Sequence, residues 1–200
     1  MPKVLTVVQA RRGSSRLPDK VTLDLMGATL LERMVERVMA AQLSGTVVLA
    51  IPESSENDAL EGICKNRKWP CFRGSENDLL DRHYQAAKAF DADIVLKIPS
   101  DVPLIDPKVI DLVVQYYLDH AQAFDFVSNL HPPTWPDGMD VEVMPMPILE
   151  TAWKEAQKAH EREHTTPFIW DNPHRFRIGN VAWDSGLDYS MSHRFTIDYP

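Results

Sequence analysis

Residues 4–21 read VLTVVQARRGSSRLPDKV, and this stretch predicts a buried strand that ends in a basic loop. The almost continuous apolar run at its start is typical of a central strand covered on both faces. Arg11, Arg12, Arg16 and Lys20 then surround a glycine and two serines. Cations, hydroxyls and a glycine that permits close approach favour phosphate binding at the carboxyl end of a strand. The other interpretation is a basic turn on an otherwise acidic surface.

The rest of the chain predicts a regular alternation of strands and helices. Further apolar runs predict strands at residues 46–51, 71–73, 94–98, 126–129, 141–144, 176–181 and 195–197. Helical spacing of apolar residues predicts helices at residues 30–38, 58–67, 79–90, 108–118 and 148–163. This order is typical of a parallel sheet with right-handed crossovers. We therefore expect one α/β domain over residues 1–200, with a mostly parallel mixed sheet flanked by helices.

Composition limits the classes of function. The net charge of −8 argues against a general nucleic-acid binder, because such proteins present a broad basic surface. Two cysteines among 200 residues form neither a disulfide framework nor a zinc motif. No signal-type segment begins the chain and no apolar run has the length of a membrane span. We expect a cytoplasmic protein that contacts neither membrane nor nucleic acid.

Two aspartates follow predicted strands and are candidates for a metal site. Asp101 lies between two prolines just after the strand at residues 94–98, and Asp198 follows the predicted strand at residues 195–197. Magnesium prefers hard oxygen ligands and is often held by one or two carboxylates together with substrate phosphates. Both aspartates could equally be turn or cap residues.

Several separated motifs carry a resemblance that covers nearly the whole chain. They are QARRGSSRLPDKV (9–21), GSENDLLDRHYQAA (74–87), KIPSDVPLIDP (97–107), DGMDVEV with REHTTPF (137–143 and 162–168), and RFTIDYP (194–200). Together they resemble the sugar-acid cytidylyltransferases, which make CMP-activated 3-deoxy sugar acids, and especially the branch for spore coat polysaccharide biosynthesis. The resemblance implies a nucleotide-diphospho-sugar-transferase-like (Rossmann-like) fold and a further C-terminal helix, which we expect to be missing from this chain.

The resemblance also implies a reaction and assigns residues to it. CMP would pass from CTP to a sugar acid or related sugar, pyrophosphate would leave, and Mg²⁺ would assist. Nucleotide binding is assigned to Gln9, Ala10, Arg12, Gly13, Ser14, Arg16, Lys20 and Ser100. The catalytic residues would be Arg16, Lys20 and Asp101, and the metal ligands Asp101 and Asp198.

The sugar side of the site is less well defined by the sequence. Candidates for contact with the sugar are Asp137, Asp140, Glu163 and His164. Asp137 is followed by glycine, and this pair is also an ordinary turn dipeptide. If the sugar carries a carboxylate, then Arg162, His164 or Arg194 could pair with it, and the sequence does not choose among them.

Several features depart from the resemblance or compete with it. Asp19 stands where the resemblance leads us to expect glycine, which adds negative charge near the phosphates, and Ser100 replaces a smaller residue. The alternative functions are a nucleotidyltransferase that uses another nucleotide, a glycosyltransferase, and a non-catalytic module that binds a nucleotide sugar. Residues 160–164 read HEREH and match the H-E-x-x-H zinc-protease pattern, although a solvated helix end explains them better. The resemblance further implies a homodimer, with a contact that we place near Trp135.

Overall fold

A computed structural model describes residues 2–13 and 16–199. Its strands are β1 (Val4–Gln9), β2 (Thr46–Pro52), β3 (Cys71–Gly74), β4 (Ile94–Ile98), β5 (Phe126–Ser128), β6 (Glu142–Pro145) and β7 (Ile178–Asn180). Its α-helices are α1 (Leu30–Met39), α2 (Asp58–Arg67), α3 (Leu79–Ala89), α4 (Pro107–Asp119), α5 (Met146–Glu155), α6 (Ala159–Glu163) and α7 (Pro167–Trp170). Short 3-10 turns lie at Lys20–Thr22 and Ser55–Asn57.

The seven strands form one mixed sheet in the order β3-β2-β1-β4-β6-β5-β7. Strand β1 pairs in parallel with both β2 and β4, while β6 runs antiparallel to β4 and β5. The chain thus leaves β1 in one direction and later returns to pair on its other side. Ligands of open α/β sheets bind at such a point, beyond the carboxyl ends of the two strands. The predicted α/β fold is confirmed.

Alternating side chains of the central strands supply two apolar cores, one on each face of the sheet. On β1, Val8 packs with α1 and α4, whereas Leu5 and Val7 pack with α3 and α5. Burial on both faces explains why β1 and β2 read as continuous apolar runs. No helix within the described part of the chain has the length and apolar character needed to span a membrane.

Polar caps place the helices that approach the site. The side chain of Asp78 accepts a hydrogen bond from the backbone of Asp81 at 2.8 Å and begins α3. Asp106 caps α4 in the same way, with Pro107 at the first helical position, where its missing N–H costs nothing. These caps fix the helix starts close to the carboxyl edge of the sheet.

Two sequence-based predictions of secondary structure were wrong. The helix predicted at residues 148–163 is two helices, because the chain becomes extended at Ala156 and α6 starts afresh. The buried Glu161 supports this restart by accepting hydrogen bonds from the backbone N–H groups of Gln157 and Lys158, at 3.1 and 3.0 Å. Residues 195–197 join no strand and cross the loops at the edge of the sheet.

Candidate active site

A cleft of about 220 Å³ opens at the carboxyl ends of β1 and β4. Eight residues that the sequence assigned to the site line it: Gln9, Ala10, Arg16, Lys20, Ser100, Asp101, Glu163 and His164. It lies where the strand order reverses, as expected for an open α/β sheet. The cleft therefore brings together residues from three separate segments of the chain.

Lys20 joins the two candidate metal ligands. Its Nζ donates to Asp101 Oδ2 at 2.9 Å and to Asp198 Oδ1 at 3.0 Å. The Lys20 and Asp198 side chains are 10% and 9% exposed, and Asp101 is 24% exposed. Two carboxylates therefore converge on a single cationic atom in a largely buried place. No cluster of three or more His, Cys, Asp or Glu side chains suited to a metal occurs in residues 2–13 and 16–199.

This donor set fits a hard divalent cation that also binds phosphate. Magnesium usually keeps several waters and takes only one or two carboxylates, with substrate oxygens completing its shell. Asp101, which lines the cleft, and Asp198, which contacts the lining residues Lys20 and Arg16, supply that number. The two carboxylates would therefore be the residues that hold such a cation.

Three cations surround Asp198. Besides Lys20, Arg16 Nη2 donates to Oδ1 at 3.0 Å and Arg194 Nη2 donates to Oδ2. Burial acts to raise the pKa of Asp198, but the hydrogen bond and charge of Lys20 and the charge of Arg16 outweigh it. The net result is a pKa below the usual value, so Asp198 is ionised in the folded protein.

Asp198 contacts Lys20 and Arg16 from an irregular segment, which we call the strap (residues 193–198). Backbone hydrogen bonds hold it at both ends: Ile197 donates to the carbonyl of Asp101 at 2.9 Å, and Phe195 donates to that of Asp137 at 2.7 Å. Gly138 has a φ of +105°, and a Cβ there would lie 2.9 Å from the backbone carbon of Phe195. The glycine of the turn dipeptide thus lets the strap approach closely.

Arg12 does not line the cleft. Its Nε and Nη2 donate to the two carboxylate oxygens of Asp19 at 2.7 and 3.0 Å, and its Nη1 contacts the carbonyl of Glu56. Asp19 has a φ of 58°, the left-handed conformation that glycine adopts most readily and aspartate tolerates. The departure from glycine is therefore accommodated, and the hydrogen bond from Arg12 lowers the pKa of Asp19. A phosphate role for Arg12 stays a prediction.

Two arginines in the cleft were not among the residues assigned to the site. Arg11 lines it, and the sequence could not choose between adjacent arginines without knowing that Asp19 engages Arg12. Arg82 lines it from α3, is 3% exposed, and has a buried Nε without a hydrogen-bond partner. Burial and then the charge of Arg11 lower the pKa of Arg82 to about 10. A buried, partly unsatisfied guanidinium is suited to an anionic or carbonyl-bearing ligand. The only hint of it was the motif at residues 74–87.

Three other residues that the sequence assigned to the site, Gly13, Asp137 and Asp140, do not line the cleft. Gly13 is exposed and does not line the cleft, and Ser14 lies outside the described residues. Asp137 contacts Arg194 Nε at 3.4 Å and accepts from Thr196 at 3.3 Å, so it holds the strap. Asp140 is close to Asp137, and burial raises its pKa to about 6.

The HEREH segment does not form a zinc site. His160 lies 3.4 Å from Asp171, whereas His164 follows the end of α6 in an extended conformation and lines the cleft. Glu161 is only 3% exposed and caps α6. Its carboxylate is therefore engaged in structure, and the pattern is an accident of a helix terminus.

Comparison with known proteins agrees with this geometry. A family model described as cytidylyltransferase matches residues 5–200. The spore coat polysaccharide biosynthesis protein SpsF of Bacillus subtilis is 29% identical over 203 residues, which cover 99% of this chain and 82% of SpsF. A 3-deoxy-manno-octulosonate cytidylyltransferase of Chloroherpeton thalassium is 35% identical over 120 residues, covering 60% of this chain and 48% of that enzyme.

A solved structure of a cytidylyltransferase from Leptospira borgpetersenii superposes with a TM-score of 0.93. It is 35% identical, and the match covers 99% of this chain and 82% of that one. A nucleotide-diphospho-sugar transferase fold with a basic cleft beside paired carboxylates defines the protein as a nucleotidyltransferase. The chain belongs to the cytidylyltransferase family.

Proposed function

We propose that the protein transfers CMP from CTP to a hydroxyl of a sugar acid or related sugar, with release of pyrophosphate, for the synthesis of a surface polysaccharide. The observation that carries this proposal is the convergence of Asp101 and Asp198 on one cation at the edge of a basic cleft. Membership of the cytidylyltransferase family supports the choice of nucleotide. Similarity to SpsF supports the link to polysaccharide synthesis.

The cations of the cleft would bind the triphosphate. Arg16 is 55% exposed and Arg11 is also exposed, so both guanidinium groups are accessible to phosphate oxygens, which suit their planar geometry, while Arg16 also donates to Asp198. Lys20, which lines the cleft, would add a further positive charge beside the phosphates. Asp101 and Asp198 would hold that ion, which supplies charge neutralisation at the phosphates.

The transfer itself requires positioning and charge stabilisation. A hydroxyl oxygen of the sugar attacks the α-phosphorus, the bond from that phosphorus to the bridging oxygen breaks, and the hydroxyl proton is released to solvent. Negative charge accumulates on the departing pyrophosphate, where Arg11, Arg16 and Lys20 would lie. Arg82 is placed to bind the nucleotide deeper in the cleft, because its buried Nε has no partner there.

Calorimetric titration tests the nucleotide assignment. CTP, UTP, GTP and ATP are each titrated with and without Mg²⁺, and pyrophosphate release is measured for any nucleotide that binds. Magnesium-dependent binding that favours CTP is expected. Equal affinity for all four nucleotides would contradict the base assignment. Binding of a nucleotide without pyrophosphate release, whichever acceptor is added, would favour a non-catalytic module.

Sedimentation at micromolar concentration tests the proposed homodimer. The Trp135 ring stacks on that of Trp183 in the same chain, with 5.2 Å between the ring centroids, so one face of Trp135 is not available for a contact between subunits.

A further inference from the structure

Two residues that line the cleft each have a buried polar atom without a hydrogen-bond partner among the described residues. One atom is Nε of Arg82, which can only donate, and the other is Oε1 of Gln9, which can only accept. Arg82 is 3% exposed as a whole residue. Buried polar atoms normally have partners, so an unpaired donor and an unpaired acceptor at one cleft indicate a ligand that supplies the complementary atoms.

The alternation of side chains along β1 places Gln9 on the face of the sheet that α3 covers. Leu5 and Val7 pack in one core cluster with Leu80 of α3. Side chains two residues apart on a strand point to the same face, so Gln9 continues the row of Leu5 and Val7. Arg82 belongs to α3, which contacts β1 directly. The unpaired donor and acceptor therefore lie on one face of the sheet, at its carboxyl edge.

The guanidinium of Arg82 is fixed by its surroundings. Its Nη1 donates to the carbonyl of Ser75 at 2.7 Å. Gly74 leaves room for the side chain, because a Cβ there would lie 3.2 Å from Cγ of Arg82. A guanidinium is planar and contains no acceptor, so anchoring at Nη1 also sets the direction of the Nε–H bond. Arg82 thus presents a donor that cannot change its role.

A ligand that satisfies both atoms must carry a donor beside an acceptor. A phosphate or a carboxylate offers acceptors only, and would leave the oxygen of Gln9 unpaired. The Watson–Crick edge of cytosine has the N4 amino group as a donor next to the bare N3 atom as an acceptor. Uracil has the reverse, with O4 as an acceptor next to N3–H as a donor. Adenine shares the pattern of cytosine, so this pair of atoms separates cytosine from uracil rather than pyrimidines from purines.

We infer that Gln9 and Arg82 select the base of the nucleotide, with Gln9 Oε1 accepting from the N4 amino group of cytosine and Arg82 Nε donating to N3. The inference rests on the proposed CMP transfer and names the residues that choose its base. Uracil would bring N3–H against the fixed donor of Arg82, whereas the amide of Gln9 can turn its nitrogen toward O4. Arg82 is therefore the main residue that rejects uracil, and Gln9 adds affinity for the amino group.

Nucleotides altered at single atoms test each contact in the wild-type protein. Calorimetric titrations with Mg²⁺ compare CTP and UTP with two analogues: zebularine triphosphate, which has hydrogen in place of the N4 amino group, and 3-deaza-CTP, which has C–H in place of N3. Each analogue is expected to bind about tenfold more weakly than CTP, and UTP about a hundredfold more weakly. Binding of either analogue as tightly as CTP would overturn the inference.

Two variants connect each atom of the base with its residue. In Arg82→Met, CTP and 3-deaza-CTP should bind alike, and the ratio of CTP affinity to UTP affinity should fall at least about tenfold. In Gln9→Leu, CTP and zebularine triphosphate should bind alike, while 3-deaza-CTP stays weaker. Arg175→Met replaces an arginine that is 39% exposed and pairs with Glu155, and should leave every ratio unchanged. An unchanged ratio of CTP to UTP affinity in Arg82→Met would overturn the inference, whatever the change in overall affinity.

Failure of this inference can be distinguished from failure of the proposed function. CTP binding and pyrophosphate release with unchanged base selectivity in Arg82→Met would contradict the inference alone. Absence of CTP binding to the wild-type protein would contradict the proposed function as well. Thermal unfolding shows whether each variant is folded, and the analogue titrations on the wild-type protein test both contacts without any variant.

Discussion

Replacement of Lys20 by methionine should destabilise the ligand-free protein by leaving two carboxylates without their shared cation. The Lys20 Nζ lies 2.9 Å from Asp101 and 3.0 Å from Asp198, and its side chain is 10% exposed. Removal of one partner from a buried ion pair costs about 3–5 kcal/mol. The lower end applies because Asp198 keeps Arg16 and Arg194. A loss of about 3 kcal/mol lowers Tm by roughly 6–12 °C in a domain of this size.

The effect should depend on pH with a defined sign. Asp198 has a lowered pKa in the folded state, so it stabilises the protein above its unfolded pKa of about 3.9, and this contribution is lost as the pH falls. In Lys20→Met a main cause of the lowered pKa is gone. The Tm difference between wild type and variant should therefore be largest near pH 7 and shrink toward pH 3.

Thermal unfolding followed by circular dichroism measures this, and two further variants sharpen it. Lys154→Met removes a lysine that is 57% exposed and pairs with Glu150 on the surface, and should change stability by less than about 1 kcal/mol. Lys20→Met combined with Asp101→Asn should recover part of the loss, because one uncompensated charge is removed. A single variant as stable as wild type, or a Tm difference that is the same at pH 7 and pH 3, would refute the reasoning.

Three other changes test separate parts of the site. Asp101→Asn should reduce pyrophosphate release at least about a hundredfold while Tm stays near the wild-type value, and near-normal turnover would remove Asp101 from the mechanism. Asp140→Asn should stabilise the protein at pH 8 by on the order of 2–3 kcal/mol, because burial raises the Asp140 pKa to about 6 and the ionised carboxylate is therefore unfavourable in the folded state. The gain in stability should vanish near pH 4, where Asp140 is protonated in the folded protein. An equal gain at pH 8 and pH 4 would contradict this. Asp19→Gly relieves the left-handed backbone but loses a half-exposed pairing with Arg12, so urea unfolding should show a change within about 1 kcal/mol.

Much of the fold could be predicted because local patterns agreed with the tertiary structure. The strand at Ile94–Ile98 and the helix at Asp58–Arg67 have the predicted bounds, since each is marked by an uninterrupted pattern with clear breakers around it. The helix over residues 148–163 was misjudged because its amphipathic pattern continues across the break. The buried Glu161, which accepts hydrogen bonds from the backbone of Gln157 and Lys158, favours a second start there.

The site could be predicted as a set of residues but not as a network. The motifs selected Lys20, Asp101 and Asp198, although Asp101 lies 81 residues and Asp198 lies 178 residues after Lys20 in the sequence. The choice of Arg11 over Arg12 depends on the conformation of Asp19, and no pattern in the sequence encodes it. The ion pair of Lys97 with Glu142 joins residues opposite each other on β4 and β6, and it cannot be predicted until the register of these strands is known.

The strap has a consequence for the order of events during synthesis. The sheet strands and the carboxylate of Asp101 all precede residue 181, whereas Asp198 joins them only through late backbone contacts with Asp101 and Asp137. A nascent chain can therefore assemble the sheet and its cores before the second carboxylate has left the ribosome. We expect a folding intermediate of this kind to be compact and unable to bind magnesium nucleotide, so that ligand affinity becomes available only once translation has passed the final motif.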